Sequence, residues 1–419
     1  MRRRQFASLA AAAVAAVAAG RRISHASGAR SGGARVVVVG GGFAGASCAL
    51  ALSGSCDVML IDPDERYVTC PMSNAVIVGL RELESITVTR KGLRTRGVRV
   101  VGDRVVAVDT RRRQVRLSRG ATVRFDRLVM APGIRFLWGR PEGYTEAVSA
   151  RMPHAWQAGR QTELLAAQLS AMRPGGVVAI SVPAGPMRCP PGPFERASLI
   201  AGFLKQKNPR GKVLIFDANN HFPKQDVFVD AWQALYPGMI QWIPVVEGGA
   251  VVRVDPAAFS LTTSTGTHRA DVINIIPPQA PSSIAVEAGL ASDHGWCPID
   301  PETFESTLVS GVDVIGDACI ADPMPKAASS AHAQAGRCAR AIVAGLGGHD
   351  GLGAGETAME SVCYSLLASD RALSIHARFE LTDGKITQLP PPASAAGGPE
   401  EVRNAAAWYR RILADSFGA

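Results

Sequence analysis

The sequence predicts an α/β protein with two three-layer domains, each a parallel sheet between helices, and a C-terminal interface region. Near its start, a buried apolar strand leads into a glycine-rich turn and then a helix, at residues 35–52. Apolar strands at 175–183 and 212–217 repeat this alternation later in the chain. Strands that alternate with helices form parallel sheets covered on both faces, so both units are predicted to be Rossmann-like. The 419 residues suffice for two or three domains.

The first unit contains a complete dinucleotide-binding pattern. The strand Arg35–Val39 precedes a Gly-x-Gly-x-x-Gly turn at 40–45, and the next strand, Asp57–Ile61, is followed by Asp62. Such glycines let the backbone approach a pyrophosphate at the positive end of a helix, and an acid at this distance binds a ribose hydroxyl. The motif alone is a weak signal, but strand, turn, helix, strand and acid in this order make it strong. The predicted binding residues are Gly40, Gly42, Phe43, Ala44, Gly45 and Asp62.

Two later segments favour FAD over NAD as the dinucleotide. Ala131, Pro132 and Gly133 end a strand and resemble the return loop that flavin disulfide reductases usually write Ala-Thr-Gly. Gly316 and Asp317 resemble the second FAD fingerprint of those enzymes, in which the acid binds the ribityl chain. A domain that binds NAD alone needs neither segment. These five residues therefore join the predicted FAD site, and the expected fold is of the flavin disulfide reductase type.

The second unit lacks the nucleotide-binding pattern. Its first strand leads into Pro-Ala-Gly-Pro-Met-Arg-Cys at 183–189, where a second glycine-rich turn is expected. Proline has no N–H group and cannot donate a hydrogen bond to a phosphate. We therefore expect this NAD-like domain to bind no NAD.

The N-terminus predicts export. Arg3 and Arg4 precede a short Ala/Val run and a small-residue site at 24–26, as in a cleaved signal at residues 1–26. The arginine pair resembles a twin-arginine signal, and a general-secretory signal with extra arginines is the alternative. The predicted location is the periplasm. The predicted parts are the export signal (1–26), the FAD-binding domain (30–142 and 283–350), the NAD-like domain (143–282) and the C-terminal interface domain (351–419).

Charge and composition exclude several classes of protein. Removal of residues 1–26 takes away five of the 45 basic residues and no acidic one, which leaves 40 basic and 36 acidic residues. This balance is no nucleic-acid signature, so no nucleic-acid partner is expected. No later segment is long and apolar enough to predict a transmembrane segment. Without Cys-x-x-Cys or His-x-x-x-His a structural zinc site is not expected, and without Cys-x-x-Cys-His any c-type haem must be on a partner.

Three cysteines have surroundings that suggest chemistry. Cys189 lies between prolines, which hold its thiol in a loop, and Glu195 follows at a predicted helix start. Cys363 lies far downstream, and Cys70 follows the nucleotide-binding unit. Glu195 also has a purely structural explanation, because a helix dipole stabilises an acid at this position. The other cysteines outside this group are interpreted as small buried hydrophobic residues: Cys48, Cys56, Cys297 and Cys338.

These segments resemble the flavoprotein subunit of flavocytochrome c sulfide dehydrogenase over nearly all of the chain after residue 26. The matching stretches lie at 68–74, 153–156, 188–198, 295–298, 323–326 and 363–365, and the cysteine-proline stretch is the most specific. The resemblance implies that Cys70 holds FAD covalently through its 8α-methyl group. It also implies that Cys189 and Cys363 form a redox disulfide beside the flavin, with Cys363 facing flavin C4a. Pro71 and Cys319 depart from the family pattern, which has Tyr and a small residue there.

The implied chemistry is the oxidation of sulfide to sulfane sulfur or polysulfide. Hydrosulfide attacks the disulfide, a persulfide forms on Cys189, and the freed Cys363 thiolate reduces FAD. Glu195 is a candidate for moving a proton near Cys189, and Lys326 for stabilising negative charge at flavin N1/O2. The electrons then pass singly to the haem of a c-type cytochrome subunit, which is the implied partner.

Three alternative functions stay open. A sulfide:quinone reductase needs a quinone pocket and a membrane-binding amphipathic face. An accessory flavoprotein of a thiosulfate-oxidising (Sox) system keeps the flavin and the disulfide without turning over sulfide, so motifs do not separate it from a dehydrogenase. An NADH-dependent disulfide reductase is disfavoured by the prolines at 183–186.

Overall fold

The computed structural model describes residues 33–347, 358–390 and 396–419. The predicted export signal at 1–26 lies outside these ranges, as do residues 348–357 and 391–395. The α-helices in the described ranges are α1 (Phe43–Leu52), α2 (Ser73–Ile77), α3 (Lys91–Thr95), α4 (Arg160–Ser170), α5 (Gly192–Lys207), α6 (Gln225–Leu235), α7 (Ser283–Glu287), α8 (Ala328–Gly345) and α9 (Pro399–Phe417). Among them, none is both long and apolar enough to cross a membrane.

The first sheet is parallel and contains the predicted nucleotide-binding strands. In spatial order its five strands are Val312–Val314, Arg127–Met130, Arg35–Val39, Asp57–Ile61 and Arg99–Val101. Every neighbouring pair is parallel. The valines at 36–38 are fully buried, as expected for a strand that is covered on both faces. The edge strand Val312–Val314 comes from a segment far along the chain, so two distant parts of the sequence share this sheet.

The second sheet is also parallel. In spatial order its four strands are Ile240–Ile243, Lys212–Asp217, Val177–Val182 and Val272–Ile275. Helix α5 follows the strand Val177–Val182 and packs against three of the strands. Phe194, Ile200 and Leu204 are buried on its inner side. Two parallel sheets with helices confirm the α/β fold class that the sequence predicts.

Antiparallel ribbons connect and extend the two sheets. One precedes the strand Arg127–Met130 and the other precedes Val272–Ile275. Their strands are Val105–Asp109, Gln114–Leu117 and Thr122–Arg124 in the first, and Arg253–Asp255, Ser260–Thr263 and Gly266–Arg269 in the second. Shorter antiparallel pairs join Ile134–Phe136 with Gln279–Pro281 and Arg66–Val68 with Thr87–Thr89. Cys297–Pro298 and Cys319–Ile320 form a short parallel pair.

The C-terminal region packs against the helices of both sheets. Its strands are Met359–Ala368, Arg371–Thr382 and Lys385–Gln388, with Ala396–Gly397 beside the second of them. The strand Met359–Ala368 contacts α5 and α8, and α9 covers this sheet and also touches α1. Tyr409 and Ile412 are buried on the inner side of α9. Because Cys363 lies on the strand Met359–Ala368, this packing carries it toward the start of α5.

Candidate functional site

The glycine-rich turn after the strand Arg35–Val39 has the geometry of a nucleotide cradle. Gly40 has φ +96°, and a Cβ on it would lie 2.3 Å from the carbonyl oxygen of Ala131. A Cβ on Gly45 would lie 1.9 Å from the carbonyl oxygen of Gly40. Both positions therefore require glycine. Helix α1 begins at Phe43 with no side-chain cap at Gly42, so its first amide groups remain available for a phosphate.

Asp62 lies at the predicted ribose end of this cradle and has a cationic partner. Its Oδ2 accepts a hydrogen bond of 2.5 Å from the Gly41 N–H, and its Oδ1 lies 3.2 Å from Arg90 Nη2. Arg90 is only 1% exposed and also donates to the carbonyl oxygen of Asp64. Arg90 is not recognisable from the sequence, because a single arginine between a short strand and α3 forms no motif. The pair fixes the acid next to the turn that it is predicted to serve.

The second predicted fingerprint packs directly on the first. Gly316 has φ +77°, and a Cβ on it would lie 2.8 Å from the Cβ of Ala44. Its N–H donates to Gln334 Oε1 at 2.7 Å. Asp317 follows in a single 3-10 turn, and burial raises the pKa of its carboxyl, although Arg188 and Lys326 oppose this. Two backbone cradles that a Cβ would fill, with an acid beside each, fit the phosphates and hydroxyls of FAD.

Lys326 connects this cradle to the cysteine-proline loop. Its Nζ donates to the carbonyl oxygen of Cys319 at 2.8 Å and lies 3.9 Å from the ring centre of Trp296. Burial lowers the pKa of its ammonium. Its carbonyl oxygen accepts a 2.7 Å hydrogen bond from the Cys189 N–H. A contact of Lys326 with the flavin therefore stays a prediction, whereas its hold on the Cys189 loop is visible.

The Cys189 loop is shaped by a glycine and a tryptophan. Cys189 has φ +52°, and its carbonyl oxygen accepts a 2.9 Å hydrogen bond from the Gly192 N–H where α5 begins. A Cβ on Gly192 would lie 2.8 Å from Trp156 Cη2 and 3.0 Å from Cys189 Sγ. The thiol and the indole thus approach each other over the bare Cα of Gly192. Burial raises the pKa of Cys189 well above its usual value, neighbouring Cys363, Glu195 and Cys70 raise it further, and Arg188 lowers it.

Glu195 joins three segments of the chain in the first turn of α5. Its Oε2 accepts a 2.7 Å hydrogen bond from Asn74 Nδ2, and its Oε1 accepts one of 2.8 Å from the Leu366 N–H. Burial raises the pKa of the Glu195 carboxyl, and these two hydrogen bonds oppose the rise. Leu366 lies on the same strand as Cys363. Glu195 therefore ties α2, α5 and the C-terminal strand together.

Cys363 lies close enough to Glu195 for the carboxyl group to affect the pKa of its thiol. Burial raises the pKa of the Cys363 thiol to about 12, with Glu195 as the second cause. Among the neighbouring groups, Cys363 has the largest effect on the pKa of Cys189 and raises it. Both cysteines are free thiols in this structure, so their disulfide stays a prediction, but the fold brings them together from the second sheet and the C-terminal sheet.

Cys70 lies beside the backbone of Trp156. Its Sγ is 3.8 Å from the carbonyl oxygen of Trp156, and its own carbonyl oxygen accepts a hydrogen bond from Ser73 Oγ. The preceding Thr69 shares a 2.7 Å hydrogen bond with the Tyr409 hydroxyl of α9. Cys70 also raises the pKa of Cys189. The three cysteines that the sequence singled out are therefore neighbours, and the covalent attachment of a flavin to Cys70 stays a prediction.

Arg196 is a structural centre of the site that the sequence reasoning missed. It is 1% exposed, and its Nε, Nη1 and Nη2 donate to Asn74 Oδ1 at 3.0 Å, Asn274 Oδ1 at 2.8 Å and the Ala155 carbonyl at 2.5 Å. Its guanidinium lies 5.0 Å from the Trp156 ring centre, and burial lowers its pKa to about 10. Through Asn74 it positions Glu195. The sequence feature that could have pointed to Arg196 is its position within the cysteine-proline stretch at 188–198.

Family models match three parts of the chain. The model described as the central part of the sulfide dehydrogenase [flavocytochrome c] flavoprotein chain matches residues 162–277. The flavin-binding part of flavocytochrome c sulphide dehydrogenase matches residues 356–417. A pyridine nucleotide-disulphide oxidoreductase model matches residues 34–151.

Similar proteins point in the same direction. The sulfide dehydrogenase [flavocytochrome c] flavoprotein chain of Chlorobaculum thiosulfatiphilum is 58% identical over 45 residues, which cover 10% of this chain and 94% of the relative. The mitochondrial sulfide:quinone oxidoreductase of Mus musculus is 23% identical over 72% of this chain and 69% of the relative. The solved sulfide:quinone oxidoreductase of Aquifex aeolicus has the same fold, with a TM-score of 0.73, 18% identity and 92% of each chain covered. This chain belongs to the family of flavocytochrome c sulfide dehydrogenase flavoprotein chains.

Proposed function

We propose that this chain is a flavoprotein sulfide dehydrogenase with a Cys189–Cys363 redox disulfide, covalently bound FAD and a c-type cytochrome as electron acceptor. The observation that supports this most is the convergence of Cys189, Cys363 and Glu195 beside the two FAD fingerprints. Lys326 links the two halves of this arrangement, because its backbone holds Cys189 while its neighbours include Asp317. Sulfur chemistry and flavin binding are thus adjacent in one chain.

A disulfide suits the burial of the two cysteines better than a pair of thiolates. Burial raises the pKa of both thiols, which means that a negative charge on either sulfur is disfavoured there. A disulfide carries no charge and is an electrophile for hydrosulfide. Attack on Cys189 forms a persulfide on that residue and releases Cys363 as a thiolate. The cost of charge on Cys363 then drives it toward onward reaction.

Glu195 is the group that we propose moves a proton during the cycle. Its hydrogen bond with Leu366, on the same strand as Cys363, and its raised pKa support this role. FAD, when bound, would supply a two-electron acceptor for the sulfur centre that can pass electrons on singly. We propose Cys70 as its attachment point because Cys70 lies beside Trp156 and acts on Cys189, and sulfane sulfur or polysulfide as the product.

The family supports the proposed electron acceptor, and the N-terminal sequence supports the proposed location. The relatives named flavocytochrome c pair a flavoprotein chain with a cytochrome, and this sequence has no haem-attachment motif of its own. The arginine pair at the N-terminus supports export to the periplasm. We therefore propose a periplasmic complex with a haem-bearing cytochrome subunit, and sulfide as the small-molecule substrate.

A sulfide:quinone reductase is the second candidate, and one cavity favours it. An open cavity of about 500 Å³ lies between α2, the end of the C-terminal hairpin and α9. Its lining mixes apolar side chains such as Met72, Leu80 and Val402 with polar ones such as Arg81, Glu82 and Ser369. The size of the cavity and the apolar part of its lining suit a quinone ring. The accessory role in a thiosulfate-oxidising system has no separate support in the fold.

A comparison of electron acceptors tests the proposal. The purified holoprotein is mixed anaerobically with sulfide and either cytochrome c or a soluble short-chain quinone. We expect sulfide-dependent cytochrome reduction, and faster reduction when the partner cytochrome subunit is added. Quinone reduction without cytochrome reduction would assign the chain to the second candidate. No turnover with either acceptor would leave the accessory role.

A further inference from the structure

Arg188 lies at the edge of the second sheet where parallel α/β sheets bind their ligands. It follows the carboxyl end of the strand Val177–Val182 and precedes Cys189. Its backbone N–H donates to Gln279 Oε1 at 2.9 Å, and its Nη2 donates to the carbonyl oxygen of Trp156. The carbonyl of Trp156 also lies next to Cys70, and the indole lies next to Cys189 across Gly192. Arg188 is thus anchored between the two cysteines by Trp156 and Gln279.

Both anchoring residues hold a buried hydrogen-bond donor without a partner. Trp156 is 5% exposed and Gln279 is 7% exposed. Within the described ranges, Trp156 Nε1 and Gln279 Nε2 find no acceptor. Buried donors in folded proteins are nearly always paired, so each unpaired one points to a ligand or an ordered water. An arginine and two N–H groups supply only donors, which is the complement of an anion.

The charges around Arg188 keep its guanidinium positive. Burial lowers the pKa of Arg188, but the acidic groups of Cys70, Asp317, Tyr67 and Cys189 outweigh this and raise it overall. Arg196, the other buried arginine here, already donates from each of its nitrogens to protein oxygens. Arg188 is different, because in the described part of the chain only its Nη2 is seen to donate a side-chain hydrogen bond to a protein oxygen. Its other guanidinium N–H groups are therefore available to a ligand at this edge.

We propose that Arg188, Trp156 Nε1 and Gln279 Nε2 form the anion site that binds substrate hydrosulfide and then the anionic sulfane sulfur on Cys189. This inference rests on the proposed function. Hydrosulfide bound there attacks Cys189 Sγ, the bond to Cys363 Sγ breaks, and its electron pair leaves on Cys363 as a thiolate. The sulfide sulfur is oxidised by two electrons and the disulfide is reduced by two, so no other oxidant takes part. The persulfide proton passes to the Glu195 carboxylate, and the resulting anion faces Arg188.

The two cysteines differ in a way that agrees with this assignment. Arg188 is among the groups that act on the Cys189 thiol, whereas the groups that act on Cys363 do not include it. The cation of the proposed site therefore lies on the side of Cys189, where the sulfane sulfur is proposed to form. The asymmetry gives the substrate a preferred end of the disulfide.

Rapid mixing of holoprotein variants with sulfide tests the site. Arg188→Gln should raise the sulfide concentration for half-maximal flavin bleaching by about tenfold or more, because it removes charge-assisted hydrogen bonds to the anion. Arg188→Lys should recover part of this loss. The matched control is Arg151→Gln, since Arg151 is exposed and lies at the start of a loop outside the site. Mass spectrometry after alkylation should find less persulfide on the Cys189 peptide of Arg188→Gln and unchanged FAD content.

The outcomes separate this inference from the function on which it rests. If sulfide fails to bleach the flavin of the unmodified protein, the proposed function is wrong, and hydrosulfide is not the ligand of the anion site. If the unmodified protein bleaches and Arg188→Gln needs the same sulfide concentration, the anion site is wrong. If Arg188→Gln shifts the midpoint potential of the flavin and leaves the sulfide dependence unchanged, the donors serve the flavin. This result would also overturn the anion site. Should Arg188→Gln fail to fold, Trp156→Phe and Gln279→Leu each remove one donor and can be tested instead. If neither of these variants needs more sulfide than the unmodified protein, the proposed site is wrong.

Discussion

The two parallel sheets of this protein present the same edge to ligands but have different chemistry there. In the first sheet, Gly40 and Gly45 make room for backbone-to-phosphate contact after the strand Arg35–Val39. In the second, the loop after the strand Val177–Val182 contains prolines, Arg188 and Cys189 in place of such glycines. The comparison supports the proposal that a Rossmann-like edge is a scaffold whose loop residues suit it either to a nucleotide or to a sulfur centre.

The largest expected effect comes from removing either sulfur of the second edge. Cys189→Ala and Cys363→Ala should each lower the rate of sulfide-driven flavin bleaching by at least about a thousandfold, because neither sulfur alone offers both an electrophile and a leaving thiolate. FAD content should not change. Cys297→Ala, at a buried cysteine outside the sulfur centre, is the control and should keep the rate within a few-fold. Rapid bleaching of either alanine variant would remove the disulfide from the mechanism.

The first edge should fail in a different way. Gly40→Ala places a Cβ 2.3 Å from the Ala131 carbonyl at a φ of +96°, so the turn must shift and FAD should be lost from the purified protein. Gly54→Ala, just after α1, is the control, since a Cβ there meets nothing within 4 Å. Absorbance and flavin-to-protein ratio measure the outcome. Full FAD content in Gly40→Ala would show that the cradle is elsewhere.

A glycine substitution at the second edge sharpens the contrast. Gly192→Ala directs a Cβ against Trp156 and Cys189 Sγ, at 2.8 and 3.0 Å, and should displace the thiol. We expect FAD to stay bound and sulfide-driven bleaching to slow by about ten- to a hundredfold, as misplacement of a reacting group does. Gly185→Ala in the same loop meets nothing within 4 Å and serves as the control. If Gly192→Ala loses FAD instead, the two edges are not separate in function.

Cys70 lies where the two edges meet, and its substitution should have a smaller effect. Cys70→Ser should release FAD into the supernatant on acid denaturation, whereas the unmodified protein should keep yellow flavin on the polypeptide. Some FAD should still bind before denaturation, because the turn at 40–45 and Asp62 remain. The colour of the acid pellet measures the result. Flavin released from the unmodified protein would reject the thioether.

The smallest expected effect is a pH dependence of stability at Glu195. Because burial raises its pKa in the folded chain, the folded state binds more protons than the unfolded one above the ordinary value of 4.5, and stability falls as pH rises. Glu195→Gln should remove this fall, so its melting temperature should gain a few degrees on the unmodified protein between about pH 4.5 and 7. Glu163→Gln on exposed α4 is the control. A pH-independent difference would mean that Glu195 does not titrate in this range.

The sequence predicts the fold and the first edge well because both depend on local patterns. Strand, turn and acid follow one another within 28 residues at 35–62, and the backbone around Gly40 and Gly45 leaves no room for a Cβ. The same locality explains why Cys189 and Glu195 were recognisable, since prolines and a helix start surround them. Arg90 was not, because its partner Asp62 is reached only through the fold.

The second edge is less predictable because its members come from four distant segments. Trp156, Gln279 and Leu366 meet Arg188 and Glu195 only through the packing of loops and the C-terminal strand. Arg196 was present in a recognisable stretch, but its role depends on Asn74 and on carbonyl groups far along the chain. Long-range hydrogen bonds of this kind leave no periodicity or spacing in the sequence.

Peptide mapping of the oxidised holoprotein before and after one equivalent of sulfide tests the central claim most directly. Under non-reducing conditions, the account predicts a Cys189–Cys363 disulfide peptide in the untreated protein. After anaerobic addition of sulfide, that peptide should disappear, Cys189 should carry one additional sulfur, and the flavin should be bleached in equal amount. Free thiols at both positions in the oxidised protein, or additional sulfur on a different cysteine, would contradict the assignment of the sulfur centre to the second edge.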